Sequence, residues 1–364
     1  MSRGVSGRAA SDAQGDVVSV AMRDSTAAPR SDGVNSDPSD PRPIEECVRI
    51  VSWRDGATTE TRDAGQLHAI LADPDCRVWI DLTEPAPEIV ESIAGLIGLH
   101  PLVAEDIIQS NERAKVELVG DIVHIVMFAL TREGETKTHE IDFVMGHRLL
   151  LSVHPASWDP QSVHQLKLGI GTILGHGTDF LLWALTDGII DAYFPVFDQF
   201  ADEIDEVQDQ IIANATPDTL HHVFQLKREL IHIRHVIAPT REIFGRLTGR
   251  EFEMIGDAQV FYFRDVYDHL IRLTDEFDSF RELVAGALDV YLSTINNNLS
   301  AIMKRLTGVT VILAGIGAVA GLFGMSEATP AFAGLEGFGF YAVAIGAIVA
   351  SVIAVLFLRR IDWI

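Results

Sequence analysis

The sequence predicts an α+β membrane protein, in which a cytosolic α/β domain is followed by a long stalk helix that continues into the first of two C-terminal transmembrane helices. Strand-like and helix-like stretches alternate from Glu46 to about Pro155, which is typical of an α/β layer domain. Strand patterns stop after Thr178. Two uncharged apolar runs, 306–323 and 338–358, then close the chain at the length that a bilayer requires.

The chain is strongly acidic, with 52 Asp and Glu against 28 Lys and Arg and a formal net charge of -24 over 364 residues. This balance argues against nucleic acid as a partner and is compatible with metal cations, although a solvated acidic surface has the same composition. Cys47 and Cys76 lack a nearby Cys or His at ligand spacing, so neither a disulfide framework nor a zinc knuckle is indicated. A nucleotide-binding GxxxxGKS/T loop is also missing from the sequence.

Changes in composition divide the chain into successive segments. The first is rich in Ser, Asp, Gly and Pro without a sustained apolar period, so we expect it to be disordered. The predicted segments are a disordered N-terminal tail (1–43), the cytosolic α/β domain (44–177), a cytosolic helical region (178–256), the stalk helix (257–305), the first transmembrane helix (306–323), an extracytoplasmic loop (324–337), the second transmembrane helix (338–358) and a cytosolic C-terminus (359–364).

Within the α/β domain, runs rich in β-branched and aromatic residues predict buried strands at 48–53, 76–82, 121–130 and 140–154. Helices are predicted at 58–73 and 85–99, and a short acidic helix at 102–110. Together these elements predict a mixed sheet covered by helices. In the short helix Glu105 or Asp106 is a candidate metal ligand; an acidic pair favoured by the helix dipole is the alternative explanation.

The helical region is predicted to begin with a helix from about Asp179 to Ala213, in which Pro195 produces a kink. A second helix is predicted from Pro217 to Ile237, where Pro239 stops it. The second helix carries several histidines without a matching Cys, Asp or further His nearby, so no metal site is expected at His221, His222, His232 and His235.

Charges beside the two apolar runs predict their orientation. Basic residues at 304–305 precede the first run and basic residues at 359–360 follow the second, whereas the loop between them carries Glu327 and Glu336 and no Lys or Arg. By the positive-inside rule both chain termini are therefore cytoplasmic. Acidic side chains at the outer mouth of a pore would concentrate a cation there.

One helix is predicted from about Asp257 to Phe323, and it would be about 100 Å long, of which only a part can lie in lipid. One of its faces carries apolar side chains at alternating steps of three and four residues, the pattern of a seam that packs against other helices. This apolar seam comprises Phe263, Val266, Leu270, Leu273, Phe277, Phe280, Val284 and Ala287.

A second face of the same helix is acidic at first, then rich in hydroxyl and amide groups, then small. Such a face suits the wall of a water-filled axis, and the alternative explanation is solvated acids followed by a close-packed membrane helix. Because two membrane helices enclose no conduit, a pore requires several copies of the chain around a symmetry axis. This polar stripe comprises Asp265, Asp268, Arg272, Asp275, Ser279, Glu282, Gly286, Asp289, Ser293, Asn296, Ser300, Met303, Thr307, Thr310, Ala314, Gly317, Gly321 and Gly324.

Five segments resemble the CorA family of magnesium channels, in the family's order: HPLVAEDI, FYFRDVYDH, LDVYLS, MKRLTGVTVI and GLFGM. The resemblance spans nearly all of the chain after the tail, and ZntB-type transporters are close competitors. It implies a homopentameric channel in the plasma membrane, with lipid, divalent cations and other copies of the chain as partners. It also implies Mg²⁺ as transported and regulatory ion, without an organic cofactor.

The resemblance places the selectivity entrance at Gly324, Met325 and Ser326, where the family has Asn at the third position. Ser keeps a hydroxyl but is shorter and lacks the amide, so the preference for Mg²⁺ over Co²⁺, Ni²⁺ or Zn²⁺ is open. The resemblance also matches Asp106 and Asp265 to the family's cytosolic sensor acids at subunit interfaces, where bound metal holds the closed state.

The same resemblance, combined with the polar stripe, assigns the lining of the pore. Met303 and Leu306 would form its apolar constriction, and Asp289 would be a pore carboxylate. The expected lining residues are Asp289, Asn296, Ser300, Met303, Leu306, Thr307, Thr310, Ala314, Gly317 and Gly321.

The leading hypothesis is passive uptake of hydrated Mg²⁺, with Co²⁺ and Ni²⁺ as further ions. A divalent ion that enters across roughly 100 mV gains about 4.6 kcal/mol, so no chemical fuel is needed. The alternatives are a ZntB-like zinc or cobalt transporter and a non-conducting membrane metal sensor, both motivated by Ser326. An enzyme is not expected, because no metal-ligand triad with an accompanying base is present in the sequence.

Overall fold

The computed structural model describes residues 44–110, 113–249, 251–324 and 338–360. Its strands are β1 (Val48–Arg54), β2 (Ala57–Thr61), β3 (Arg77–Thr83), β4 (Lys115–Val119), β5 (Ile122–Glu133), β6 (Glu135–Met145) and β7 (Leu149–His154). They form one seven-stranded sheet in the order β2-β1-β3-β7-β6-β5-β4. Every neighbouring pair is antiparallel except β3 and β7, which are parallel, so the predicted mixed sheet is confirmed.

Helices cover both faces of this sheet and then extend away from it. They are α1 (Ile44–Cys47), α2 (Leu67–Leu71), α3 (Pro87–Ile97), α4 (Pro101–Gln109), α5 (Ile170–His176), α6 (Thr178–Asp191), α7 (Tyr193–Asn214), α8 (Pro217–Leu247), α9 (Val260–Gly324) and α10 (Phe338–Arg360).

Two hydrophobic cores lie on opposite faces of the sheet, because successive side chains of a strand point to opposite sides. On β6, Phe143 belongs to one core and its neighbour Val144 to the other. The first core joins the sheet to α5, α6, α7, α8 and α9. The second core is covered by α2, α3 and α4. The three layers thus place α4 and the base of α9 on different sides of the sheet.

Two of the predicted elements of the α/β domain are corrected. The helix predicted at 58–73 is instead strand β2, a 3₁₀ turn and the short α2. The β-branched threonines of β2 pair with β1, with Thr59 opposite Ser52, and this pairing outweighs the apparent helical periodicity. The strand predicted at 140–154 is a hairpin, in which Gly146 donates its N–H to Leu149 over 2.8 Å and turns the chain between β6 and β7.

Two prolines act differently in the helical region. The predicted kink is confirmed as a break at Ala192, between α6 and α7, since Pro195 has no N–H to continue the helical hydrogen bonds. By contrast, the predicted stop at Pro239 is wrong, because α8 continues to Leu247. The turn that follows is held by burial of Ile243 and Phe244 and by the Thr240 hydroxyl, which donates to the Val236 carbonyl over 2.7 Å.

The long helix α9 has 65 residues, and its predicted apolar seam is buried throughout. Phe280, in the middle of the seam, contacts Phe197 and Phe200 of α7 at ring-centroid distances of 5.6 and 6.5 Å. Packing of aromatic rings therefore fixes α9 to α7.

Two described helical stretches are long and apolar enough to cross a membrane, Thr178–Asn214 and Val260–Gly321. In the first, 61% of the apolar segment is buried in the protein, as in the core helix of a soluble domain. In the second stretch only 6% of the apolar segment is buried, so most of its apolar surface is exposed in the single chain. Helix α10 has 23 residues, and it carries no charge before Arg359.

Candidate functional site

The polar stripe lies on the solvent-accessible side of α9, away from the buried seam. A Cβ added at Gly286, Gly317 or Gly321 would meet nothing within 4 Å among the described residues, so a further helix could approach closely there. Every residue predicted to line a pore is exposed in the single chain, namely Asp289, Asn296, Ser300, Met303, Leu306, Thr307, Thr310, Ala314, Gly317 and Gly321.

The two residues predicted to constrict a pore lie one turn apart on α9. Met303 is 53% exposed and Leu306 is 58% exposed, which is far above the exposure of the seam. The next turn carries Thr310, whose hydroxyl donates to the Leu306 carbonyl over 2.8 Å. This bond satisfies the hydroxyl within the helix, so the apolar character of this part of the stripe is little interrupted.

Helix α10 contacts α9 through a narrow face of mostly small residues. Its partly buried positions follow steps of three and four residues, which places them on one side of the helix: Ala344, Ala347, Ser351, Ala354 and Leu358. The Ser351 hydroxyl donates to the Ala347 carbonyl over 2.7 Å, so it needs no partner outside the helix.

The predicted entrance is only partly described. Gly324 is the last residue of α9. Met325, Ser326, Glu327 and Glu336 lie outside the described residues.

The predicted sensor acids lie on separate elements and make different contacts. The Oδ2 atom of Asp106, on α4, is 2.5 Å from Nζ of Lys115, and the same ammonium group is 3.2 Å from Oε2 of Glu117. Asp265 is exposed on α9. Asp106 and Asp265 lie on helices that pack against opposite faces of the sheet. A metal held by both acids would therefore need a second copy of the chain.

A group of potential metal ligands that the sequence analysis missed lies one turn along from Asp265. Asp187 and Asp191 on α6 and His269 on α9 place one ligand atom each within 4.8 Å of the others. Gln165 donates from its amide nitrogen to Asp187, and the same nitrogen is 3.5 Å from Oδ2 of Asp191. Two carboxylates and an imidazole form a suitable donor set for a divalent cation.

Burial and a neighbouring negative charge oppose the ionisation of Asp187 in this cluster. Burial, followed by the nearby Asp191 carboxylate, raises the pKa of Asp187 to about 6. Asp265 raises the same pKa further, while Gln165 and His269 oppose the shift. Among the described residues, Nδ1 of His269 and Oε1 of Gln165 are buried without a hydrogen-bond partner. A bound cation would relieve the repulsion between the carboxylates.

A sequence signal for this cluster existed. Asp187 and Asp191 lie four positions apart on α6, so they share one side of this helix, where Asp187 is buried and Asp191 is exposed. Only packing of α6 on α9 shows that His269 completes the group.

Comparison with known proteins identifies a family and several relatives. A family model described as CorA-like Mg²⁺ transporter protein matches residues 77–360. The cobalt/magnesium transport protein CorA of Thermotoga maritima is 31% identical over 300 residues, which cover 80% of this chain and 85% of that protein. The zinc transport protein ZntB of Cronobacter sakazakii is 22% identical over 300 residues, which cover 80% of this chain and 88% of that protein.

A solved structure has the same fold. The complete structure of the CorA magnesium transporter from Methanocaldococcus jannaschii superposes with a TM-score of 0.71 at 23% identity, covering 87% of this chain and 99% of that one.

Proposed function

Because the chain belongs to the family of CorA-like Mg²⁺ transporters, we propose that it is a channel for the passive uptake of hydrated divalent cations, chiefly Mg²⁺. Five copies would surround one axis in the plasma membrane, with both termini of each chain in the cytoplasm. The inward potential would supply the driving force, about 4.6 kcal/mol for a divalent ion at roughly 100 mV.

The observation that carries this proposal is the division of α9 into two faces. The apolar seam is buried against α6, α7 and α8, so the polar stripe is left for an axis shared by several copies. Asp289 would attract the cation, and Met303 and Leu306 would exclude water in the closed state. The small residues that follow would let the membrane helices approach each other.

Selectivity would be set at Gly324, Met325 and Ser326. Mg²⁺ gives up its water reluctantly, so an entrance that admits it must hold the hydrated ion by hydrogen bonds. A ring of Ser326 hydroxyls can donate and accept such bonds, although it reaches less far than a ring of amides. Glu327 and Glu336 would raise the local cation concentration outside it.

Gating would depend on metal in the cytosolic part. Asp187, Asp191 and His269 lie beside Asp265, so a cation there would also neutralise the surface that carries this acid. Asp106 of a neighbouring copy would meet Asp265 across the interface. Loss of metal would leave like charges in contact and favour separation of the copies.

A second candidate function is zinc or cobalt transport. The similarity to a ZntB protein and the serine at position 326 favour it over the non-conducting sensor. It shares the predicted path through α9 and differs in the ion that the entrance prefers.

The test is flux into proteoliposomes that contain a Mg²⁺-sensitive dye, at a negative-inside potential. We expect Mg²⁺ entry with the parent protein and its loss with Asp289→Ala. The matched control is Asp278→Ala, since Asp278 is an exposed acid of α9 outside the polar stripe. Entry of Zn²⁺ or Co²⁺ without Mg²⁺ would support the second candidate. No entry of any of these ions into vesicles with assembled protein would contradict both.

A further inference from the structure

A second group of ionisable side chains lies near the β4 edge of the sheet, between α4 and the strands β4 and β5. Asp106, Glu117 and His124 each place one potential ligand atom within 4.8 Å of the others. Glu117 lies directly opposite His124 in the antiparallel pairing of β4 with β5, so the two side chains share one face of the sheet. The side chain of Glu117 is 51% exposed, which gives the group access to solvent.

His124 forms the buried end of this group. It is fully buried, and its Nε2 atom is 2.8 Å from Oδ1 of Asp142, which is 4% exposed. The Nδ1 atom of His124 is also buried and has no hydrogen-bond partner in the described part of the chain. When Nε2–H donates to the carboxylate, Nδ1 keeps a free lone pair, which is the state of a histidine that ligates a metal and is oriented by a carboxylate.

Burial of the His124 and Asp142 side chains carries a desolvation cost. Asp142 is 4% exposed and His124 is 0% exposed, so both ionisable groups are removed from water. Replacing a buried polar pair by apolar residues is often neutral or stabilising. A carboxylate that orients a ligating imidazole is one role that such a pair can fill.

Lys115 supplies the counter-charge on the solvent side. Its Nζ atom lies between Asp106 and Glu117, at 2.5 and 3.2 Å from their carboxylates. Its side chain is 25% exposed, and a lysine has a flexible four-carbon stem, so the ammonium group can leave without a change in the backbone.

We propose that Asp106, Glu117 and His124 form a binding site for a transition-metal dication within one subunit, with Lys115 as the built-in cation that the metal displaces. A donor set of one imidazole and two carboxylates suits Zn²⁺, Co²⁺ or Ni²⁺. Mg²⁺ prefers oxygen ligands alone and keeps most of its water. The site does not depend on ion conduction. It would engage Asp106 inside its own subunit and so compete with the proposed contact to Asp265 of a neighbour.

The test is titration of purified full-length protein in detergent with Co²⁺, followed by its visible absorption. All variants carry His269→Ala, which removes the imidazole of the other cluster. We expect Glu117→Gln and His124→Asn to bind this Co²⁺ at least about tenfold more weakly. Lys115→Met should bind it more tightly, since the competing cation is gone.

The control is His147→Ala, an exposed histidine at the turn between β6 and β7. Equal Co²⁺ affinity in Glu117→Gln and this control would overturn the proposal, as would an unchanged affinity in Lys115→Met. If His124→Asn fails to fold, Glu117→Gln decides, because this side chain lies at the surface. Mg²⁺ flux is a separate measurement, so failure of the channel proposal leaves this result intact.

Discussion

The Nε2 atom of His154 lies 3.2 Å from Oδ1 of Asp81, and both side chains are almost completely buried beside the parallel strands β3 and β7. The other ring nitrogen, Nδ1, is 2.9 Å from the Pro155 carbonyl oxygen. Each ring nitrogen thus faces an acceptor, an arrangement that the doubly protonated imidazolium satisfies. The Ser152 hydroxyl donates to the same Asp81 oxygen over 2.5 Å, so the acid connects the ends of the two strands.

This pair predicts a pH-dependent stability. Burial alone would lower the pKa of His154, but the hydrogen bond and the charge of Asp81 outweigh it and the net pKa is raised. A raised pKa stabilises the fold fully below the unfolded value of about 6.5 and ceases to do so once the pH passes the folded value. We expect His154→Gln to lower the thermal midpoint more at acidic than at alkaline pH. Equal losses at both pH values would contradict this, and His147→Gln is the exposed control.

Close packing around Gly188 predicts that a larger side chain will not fit in the first hydrophobic core. A Cβ at this position would lie 2.5 Å from Cγ1 of Val163, a stiff β-branched neighbour. We expect Gly188→Ala to cost about 1–3 kcal/mol of unfolding free energy. Gly95→Ala on α3 is the control: it meets nothing within 4 Å and should stabilise by about 0.5–1 kcal/mol. Chemical denaturation of both variants checks the opposite signs.

At the cluster of Asp187, Asp191 and His269, we predict that metal binding stabilises the fold. Its buried charge is unfavourable at neutral pH, as the pKa of about 6 indicates. We expect Asp187→Asn to raise the thermal midpoint in the presence of a chelator and to reduce the further rise that Co²⁺ produces. Asp198→Asn, at an exposed acid of α7, should change neither. A metal-induced rise as large as that of the parent would show that Asp187 holds no metal.

Replacing Pro239 is predicted to stabilise α8. It lies inside α8, where it removes the hydrogen bond to the carbonyl four residues earlier. We expect Pro239→Ala to gain up to about 3 kcal/mol in unfolding free energy, from the helix propensities of the two residues. Pro195→Ala should gain less, because Pro195 lies in the first turn of α7, where no such bond is lost. The reverse order in denaturant titrations would show that α8 needs the proline.

Local patterns predicted the parts of the fold that repeat over many residues. The seam from Phe263 to Ala287 was identified from its spacing alone, because apolar residues at steps of three and four lie on one face of a helix. Short elements were less predictable. Strands β2 and β4 lack a strong apolar alternation, and their existence depends on neighbouring strands that supply hydrogen bonds.

The candidate site likewise has parts that the sequence predicted and parts that it did not. Asp106 and Asp265 were named from the sequence through a family resemblance, but the ion pair of Asp106 with Lys115 was not expected. Asp187 and His269 are far apart in the chain, and no spacing rule joins them. Pro239 shows the same limit for a single residue, since the rule that prolines end helices does not include the packing of α8 against α9.

By itself, the sequence determined the two periodicities of α9, the two apolar runs near the C-terminus and the acidic character of the rest, since these depend on residue type and on the geometry of one helix. The tertiary structure alone decided which charges meet. It brought Asp187 to His269 and Lys115 to Asp106, because contacts between distant segments arise from the way in which sheet and helices bury their apolar faces, and the polar groups beside those faces are carried along.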